Sequence, residues 1–176
     1  MVLKPSELTP FSALRYAELA VQAGLPPGIF NVVQGDGRLT GDALCRHPRI
    51  SKVTFTGSTA TGSSIMAACA THGPKPVTLE LGGKSPQLVF ADIPDLHKTA
   101  RSVAMAITGN AGQVCVSGSR LIIERSILEP FVECLLGHFR ELRPGPTWST
   151  QTSLAPIISA LQAERIAAIV QRSRQA

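Results

Sequence analysis

The chain has 176 residues, 44% of them hydrophobic and 16% charged, with a formal net charge of +5. That is ample apolar material for one buried core, or for two smaller units sharing one, and no apolar run approaches the roughly 20 residues that cross a bilayer. The arginines are scattered from Arg15 to Arg174 and aromatic residues make up only 5%, so the positive charge reads as a solvated face and neither a membrane nor a nucleic acid is an expected partner.

In chain order, Thr9-Pro10 reads as a cap with proline at the first helical position, and Gly24 as the stop of that helix. After the turn Gly24-Leu25-Pro26-Pro27-Gly28, residues 29–33 predict a short strand, and a weaker helix follows over 39–45. Residues 52–56 form the next expected strand and run directly into Gly57. Small residues dominate 58–71, which predicts a helix able to approach a sheet closely. Strands are expected at 76–81 and 87–90. A helix opened by Asp92-Ile93-Pro94-Asp95 runs to about Thr108, a β-branched strand spans 120–124, and a helix spans 127–142. Pro144-Gly145-Pro146 interrupts the pattern before a last helix over 159–172.

Strand and helix alternate throughout, which predicts an α/β fold: parallel sheets with flanking helices. The clearest break in composition is at Gly82-Gly83, giving expected domains of 1–82 and 83–176.

Cys45, Cys69, Cys115 and Cys134 are widely spread with no C-x-x-C pair, and the four histidines lack short metal-ligand spacing. No disulfide scaffold or metal centre is expected. A reducing cytoplasm suits such a chain, and no secretory leader pattern opens it.

Three segments carry chemistry. In Gly57-x-x-x-x-Gly62 a strand ends in glycine and a helix begins, leaving backbone N–H groups and a positive dipole end for a dinucleotide phosphate; tight helix–strand packing alone would account for the same glycines. A P-loop is excluded, because Ser63 stands where its lysine would follow Gly62. Gly83-Lys84-Ser85 lacks the first P-loop glycine, and Pro86 denies it a helix. Cys115, in Asn110-Ala111-Gly112-Gln113-Val114-Cys115, is a candidate nucleophile whose small neighbours Gly112, Ser117, Gly118 and Ser119 leave room for a substrate carbon. Glu80 interrupts the apolar strand Val77-Thr78-Leu79-Glu80-Leu81. Such a carboxylate is either a tuned acid or base, or a strand-end side chain turned to solvent.

Taken in order, Lys4-Pro5-Ser6-Glu7 with Thr9-Pro10, Gly24-Leu25-Pro26-Pro27-Gly28, Phe55-Thr56-Gly57-Ser58-Thr59, Glu80-Leu81-Gly82-Gly83-Lys84-Ser85-Pro86 and Gly112-Gln113-Val114-Cys115 resemble the NAD(P)-dependent aldehyde dehydrogenase superfamily. The similarity runs from Lys4 to about Leu142 and is weaker in the last helix. It implies oxidation of an aldehyde to a carboxylic acid, with Cys115 as the nucleophile that forms a thiohemiacetal and then a thioester. Glu80 would be the general base for hydrolysis, and the Cys115 N–H one donor to the oxyanion. Lys4 and Glu7 resemble the residues that hold the adenosine ribose, Gly57 and Ser58 the pyrophosphate contacts, and Leu81 and Gly82 the neighbours of the nicotinamide. A carboxylate at Glu7 disfavours a 2′-phosphate, so NAD is expected over NADP. The resemblance also implies a Rossmann-like cofactor domain before the Gly82-Gly83 break and the start of a catalytic domain after it.

Two departures bear on these expectations. The chain is less than half the family's usual length, so it reads as an internal or truncated piece. The upstream oxyanion asparagine, the downstream ribose-binding glutamate and the oligomerisation strand would then lie outside it, and a homo-oligomer is expected only of the full-length enzyme. Second, Thr108-Gly109 stands where the family often carries aromatic side chains, implying a roomier substrate tunnel. A non-catalytic binding or assembly domain, with strand edges that pair with another polypeptide, is the alternative expectation.

Overall fold

The computed structural model describes residues 1–175, which divide into two compact units, Met1–Leu81 and the residues from Gly82 onward. Each is built from parallel strand–helix–strand units, so the α/β architecture expected from the alternating pattern is the one observed.

The first unit contains two such motifs. β1 (Val2–Leu3) pairs with β2 (Asn31–Val32) across helix α1 (Phe11–Gln22), and β3 (Val53–Thr56) pairs with β4 (Val77–Glu80) across helix α3 (Thr59–Thr71). A π-turn at Gly37–Gly41 leads into the short helix α2 (Asp42–Arg46), so the expected weak helix is present but distorted at its start. Asp36 caps that turn, its carboxylate accepting from the Leu39 N–H at 2.7 Å.

Helix α1 ends as expected. Gly24 has φ +90°, and the N–H groups of Gly24 and Leu25 bond back to Val21 and Ala20 at 3.0 and 2.9 Å. Its start differs: Pro10 itself occupies the cap position and no side chain caps the helix, so Thr9 does not have the predicted role. The pair β1–β2 was not anticipated in full, because a strand of two residues leaves no alternating pattern to read. The core of this unit is small: Cys45, Ala68 and Cys69 are buried, with Val53, Ile65 and Val77 packed around them.

The second unit is one larger motif. β5 (Pro86–Val89) pairs in parallel with β6 (Arg120–Ile123), with helix α4 (Leu96–Thr108) between them in sequence and helix α5 (Leu128–Arg140) following. Pro86 is the first residue of its strand, a place where a missing N–H is tolerated. Asp95 caps α4, accepting from the Lys98 N–H at 2.9 Å, so of the two aspartates flagged in the sequence it is the second that starts the helix. Ala100, Val103 and Ala104 recur at helical spacing on α4 and pack with Phe131 and Leu135 of α5 over Val89 of β5. Helix α6 (Ala160–Gln175) closes the chain with no buried residue. No described helix is long and apolar enough to cross a membrane.

Candidate active site

In the first unit the structure brings Lys4 and Glu7 together. Lys4 Nζ lies 3.7 Å from Glu7 Oε2 and donates to the carbonyls of Pro5 at 2.6 Å and Gly35 at 2.9 Å. The Lys4 side chain is only 15% exposed, while Glu7 is 56% exposed, so the ammonium is cradled and the carboxylate projects. The lysine stem runs past Gly41, where a Cβ would meet Cδ and Cε at 3.9 Å.

Gly57 joins the end of β3 to the start of α3. Its N–H donates to the Glu80 carbonyl at 3.0 Å, extending the β3–β4 ladder by one bond, and a Cβ there would collide with the Phe55 ring. Ser58 caps α3: its hydroxyl accepts from the Thr61 N–H at 3.2 Å and lies 2.8 Å from the Thr61 hydroxyl. The N–H groups of Thr59 and Ala60, in the first turn, have no described acceptor. Gly62 is buried one turn on, and a Cβ would meet Leu81 Cδ2 at 3.1 Å and Leu79 Cδ1 at 3.3 Å. The small-residue pattern of 58–71 therefore serves close helix–strand packing as well as an open helix end.

Glu80 ends β4 on the exposed side of the strand, opposite Val77 and Leu79, which are partly buried. Its carboxylate makes no hydrogen bond or ion pair among the described residues. In the second unit, Nζ of Lys84 donates to the neighbouring Gly83 carbonyl at 3.0 Å. Leu81 packs over Gly62, and Gly82, the first residue of the second unit, is exposed with open space where a Cβ would stand.

In the second unit Cys115 is exposed and its thiol is free. The backbone leading to it is unusual. Asn110, Ala111 and Gly112 have φ of 50°, 55° and 72°, three consecutive left-handed residues that only glycine, and to a lesser degree asparagine, adopts readily. Gly112 also abuts the Ile107 carbonyl, which a Cβ would approach to 3.1 Å. Ser117, buried at 7% exposure, donates to the Gly112 carbonyl at 3.4 Å, and its N–H bonds to Val114 at 3.1 Å. Among the described residues the Cys115 N–H donates to no acceptor, leaving a donor beside the sulfur.

Two contributors were not singled out in the sequence. Gly83 lies against the loop that carries Cys115: a Cβ there would stand 2.8 Å from the Cys115 carbonyl oxygen. Its signal was the second glycine of the pair following Glu80. Gln113 sits within the cysteine motif, and its carboxamide bonds reach 43 and 45 residues along the chain, which local patterns do not report. A cleft of about 340 Å³ adjoins this loop, lined by Met105, Thr108, Gly109, Asn110, Thr152 and Ser153 among others. No described group of three or more His, Cys, Asp or Glu residues is placed to hold a metal.

The whole chain, residues 1–176, matches the aldehyde dehydrogenase family. It is 43% identical over 175 residues to 4-trimethylaminobutyraldehyde dehydrogenase of Pongo abelii, covering 99% of this chain and 35% of that protein. Among solved structures it resembles an indole-3-acetaldehyde dehydrogenase in complex with NAD+ (TM-score 0.93, 40% identity), covering 99% of this chain and 35% of that one. It also resembles gamma-glutamyl-gamma-aminobutyraldehyde dehydrogenase from Burkholderia cenocepacia J2315 (TM-score 0.92, 42% identity), again covering 99% and 35%. The chain thus spans about a third of the length of these relatives. With a family match over every residue, ordered motifs and a shared fold, the chain belongs to the aldehyde dehydrogenase family.

Proposed function

We propose that this chain supplies the nucleophile, the base and part of the cofactor site of an NAD-dependent aldehyde dehydrogenase. The observation that carries the reading is the exposed, free thiol of Cys115 on a glycine-bounded loop, next to its own unsatisfied N–H. The thiolate adds to the aldehyde carbon, forming a C–S bond and an oxyanion for which the Cys115 N–H is a donor. A nicotinamide dinucleotide held by Lys4, Glu7, Gly57 and Ser58, with Leu81 and Gly82 at its reactive end, would supply the acceptor for the hydride on this carbon. The carbon becomes a thioester carbonyl; water then adds, with Glu80 taking its proton, and C–S cleavage releases the carboxylic acid and the thiol. Glu80 holds this role by its motif, and its exposed, unpaired carboxylate leaves it available to a water molecule.

The residues present fit a dinucleotide. A half-buried ammonium beside an exposed carboxylate, Lys4 with Glu7, offers donor and acceptor to a ribose diol, and Glu7 repels a 2′-phosphate. The unsatisfied N–H groups at the start of α3, after Gly57 and Ser58, suit the pyrophosphate. Leu81 and Gly82 are assigned to the nicotinamide end. Of the domains expected from the sequence, 1–82 serves the cofactor and 83–176 the thiol chemistry. The substrate is a small-molecule aldehyde, free thiols suit a reducing cytoplasm, and a homo-oligomer belongs to the full-length enzyme.

The isolated chain should turn over poorly, because the motif-bearing residues here are a partial set. Mixing it with a short aldehyde and NAD+ should nonetheless leave an acyl group on Cys115 with matching NADH. NADH formed equally fast by Cys115→Ala would overturn the assignment. A non-catalytic assembly role is the second reading. Every described strand has only one partner, and Phe11 and Trp148 are 81% and 86% exposed. Self-association on size exclusion without any NAD binding would favour it.

A further inference from the structure

Gln113 makes three hydrogen bonds with one carboxamide. Nε2 donates to the Asn110 carbonyl at 3.1 Å and to the Pro156 carbonyl at 3.3 Å, while Oε1 accepts from the Ile158 N–H at 2.8 Å. Its backbone N–H adds a bond to the Asn110 carbonyl at 3.1 Å. One side chain therefore closes the left-handed turn Asn110-Ala111-Gly112 and ties it to the segment beyond Ala155, a residue that lines the adjoining cleft. That segment is itself pinned at its other end, where the N–H groups of Ser153 and Leu154 bond to the Arg143 carbonyl at 3.0 and 3.1 Å.

The turn needs such a clamp. Ala111 at φ 55° is in a conformation that disfavours an L side chain by about 1–2 kcal/mol, and local strain of this kind persists only where the surroundings over-determine it. The turn sets the direction in which the chain enters Val114 and Cys115, and with it the aim of the Cys115 N–H. The donor pattern also admits one amide orientation, since both carbonyls need the NH₂ end and Ile158 needs the oxygen.

We propose that Gln113 is a positioning residue: its carboxamide locks the left-handed turn to the 156–158 segment, and so fixes both the oxyanion donor at Cys115 and the neighbouring cleft wall. This rests on the reading of Cys115 as the nucleophile. Gln113 touches no reacting atom in this account and acts through backbone geometry alone.

The test separates acyl transfer, which passes through an oxyanion, from alkylation by iodoacetamide, which displaces iodide and forms none. Gln113→Met removes all three side-chain bonds at similar volume; Gln113→Glu keeps an acceptor for the Ile158 N–H but loses both donors. Acyl transfer from p-nitrophenyl acetate to Cys115 should fall at least about tenfold in Gln113→Met, since small misplacements of reacting groups carry penalties of that order or more. Alkylation of Cys115 should stay within about twofold, because an exposed thiol needs no oriented donor. Gln113→Glu should also lose acyl transfer. Hydrogen exchange at the Ile158 amide should accelerate in Gln113→Met and stay slow in Gln113→Glu.

Acyl transfer within about twofold of wild type in both variants would overturn the proposal, as would an equal fall in both reactions, which marks general unfolding. Unchanged Ile158 exchange in Gln113→Met would overturn the clamp whatever Cys115 does. If Cys115→Ala leaves ester cleavage intact, the nucleophile reading fails separately.

Discussion

The backbone of Gly83 lies against the carbonyl of Cys115 so closely that a Cβ would stand 2.8 Å from the oxygen. A rigid carbonyl cannot yield as a side-chain tip does, so either the loop or the glycine must move. Gly83→Ala should destabilise the second unit by about 1–3 kcal/mol, as overpacking commonly does. It should also slow acyl transfer to Cys115 more than iodoacetamide alkylation. Urea unfolding and the two rate measurements check this, and equal acyl-transfer rates in wild type and variant would show the contact to be irrelevant.

The Ser58 hydroxyl caps α3 through the Thr61 N–H. Ser58→Ala should lower the stability of the first unit by about 1 kcal/mol, the usual effect of removing a cap, measurable as a shift in the urea midpoint at unchanged slope. Ser58→Asp should recover most of it. A pyrophosphate at the same helix end would compete with that new carboxylate, so NAD+ affinity should fall in Ser58→Asp while stability does not.

Cys45 and Cys69 are 4% and 1% exposed and adjacent, with Cys69 Sγ 3.9 Å from the Cys45 carbonyl. Burial, reinforced by neighbouring Cys69, raises the Cys45 thiol above its ordinary value of 9.0. The sign follows. An unfolded chain loses this proton first, so the stability it contributes is fully present below about pH 9 and is lost as pH rises through the folded pKa. Stability of the first unit should be flat in this contribution through neutral pH and decline in alkali, less steeply in Cys45→Ala. Thiol titration should find Cys115 reactive in the native state, and Cys45 and Cys69 only after denaturation.

Gly109 lines the cleft beside the Cys115 loop, and no Cβ contact within 4 Å stands in its way. Gly109→Phe should fold normally and fill part of the roughly 340 Å³ space. Long-chain p-nitrophenyl esters should then acylate Cys115 more slowly while the acetyl ester is spared. Parallel losses for short and long esters would place the substrate path elsewhere.

Alternation of strand and helix was readable because glycine and proline punctuate the elements: Gly24 stops α1, Gly57 follows the end of β3, and Pro86 opens β5. Cys115 stood out for the small residues around it, and Glu80 for its place in an apolar strand. What was not readable is non-local. β1 is two residues long and exists only through its pairing with Asn31–Val32. Gly83 and Gln113 look like ordinary motif neighbours until a carbonyl oxygen and three hydrogen bonds show what each one meets. The missing Thr9 cap has a local reason: Pro10 takes the cap position itself, one residue later than the pattern implied.

The most direct test is to treat the chain with p-nitrophenyl acetate and locate the acetyl group by peptide mass spectrometry. The account predicts a burst of nitrophenolate, the label on Cys115 ahead of Cys45, Cys69 and Cys134, and loss of both in Cys115→Ala. A label spread evenly over the accessible nucleophiles, or a burst that survives Cys115→Ala, would contradict it.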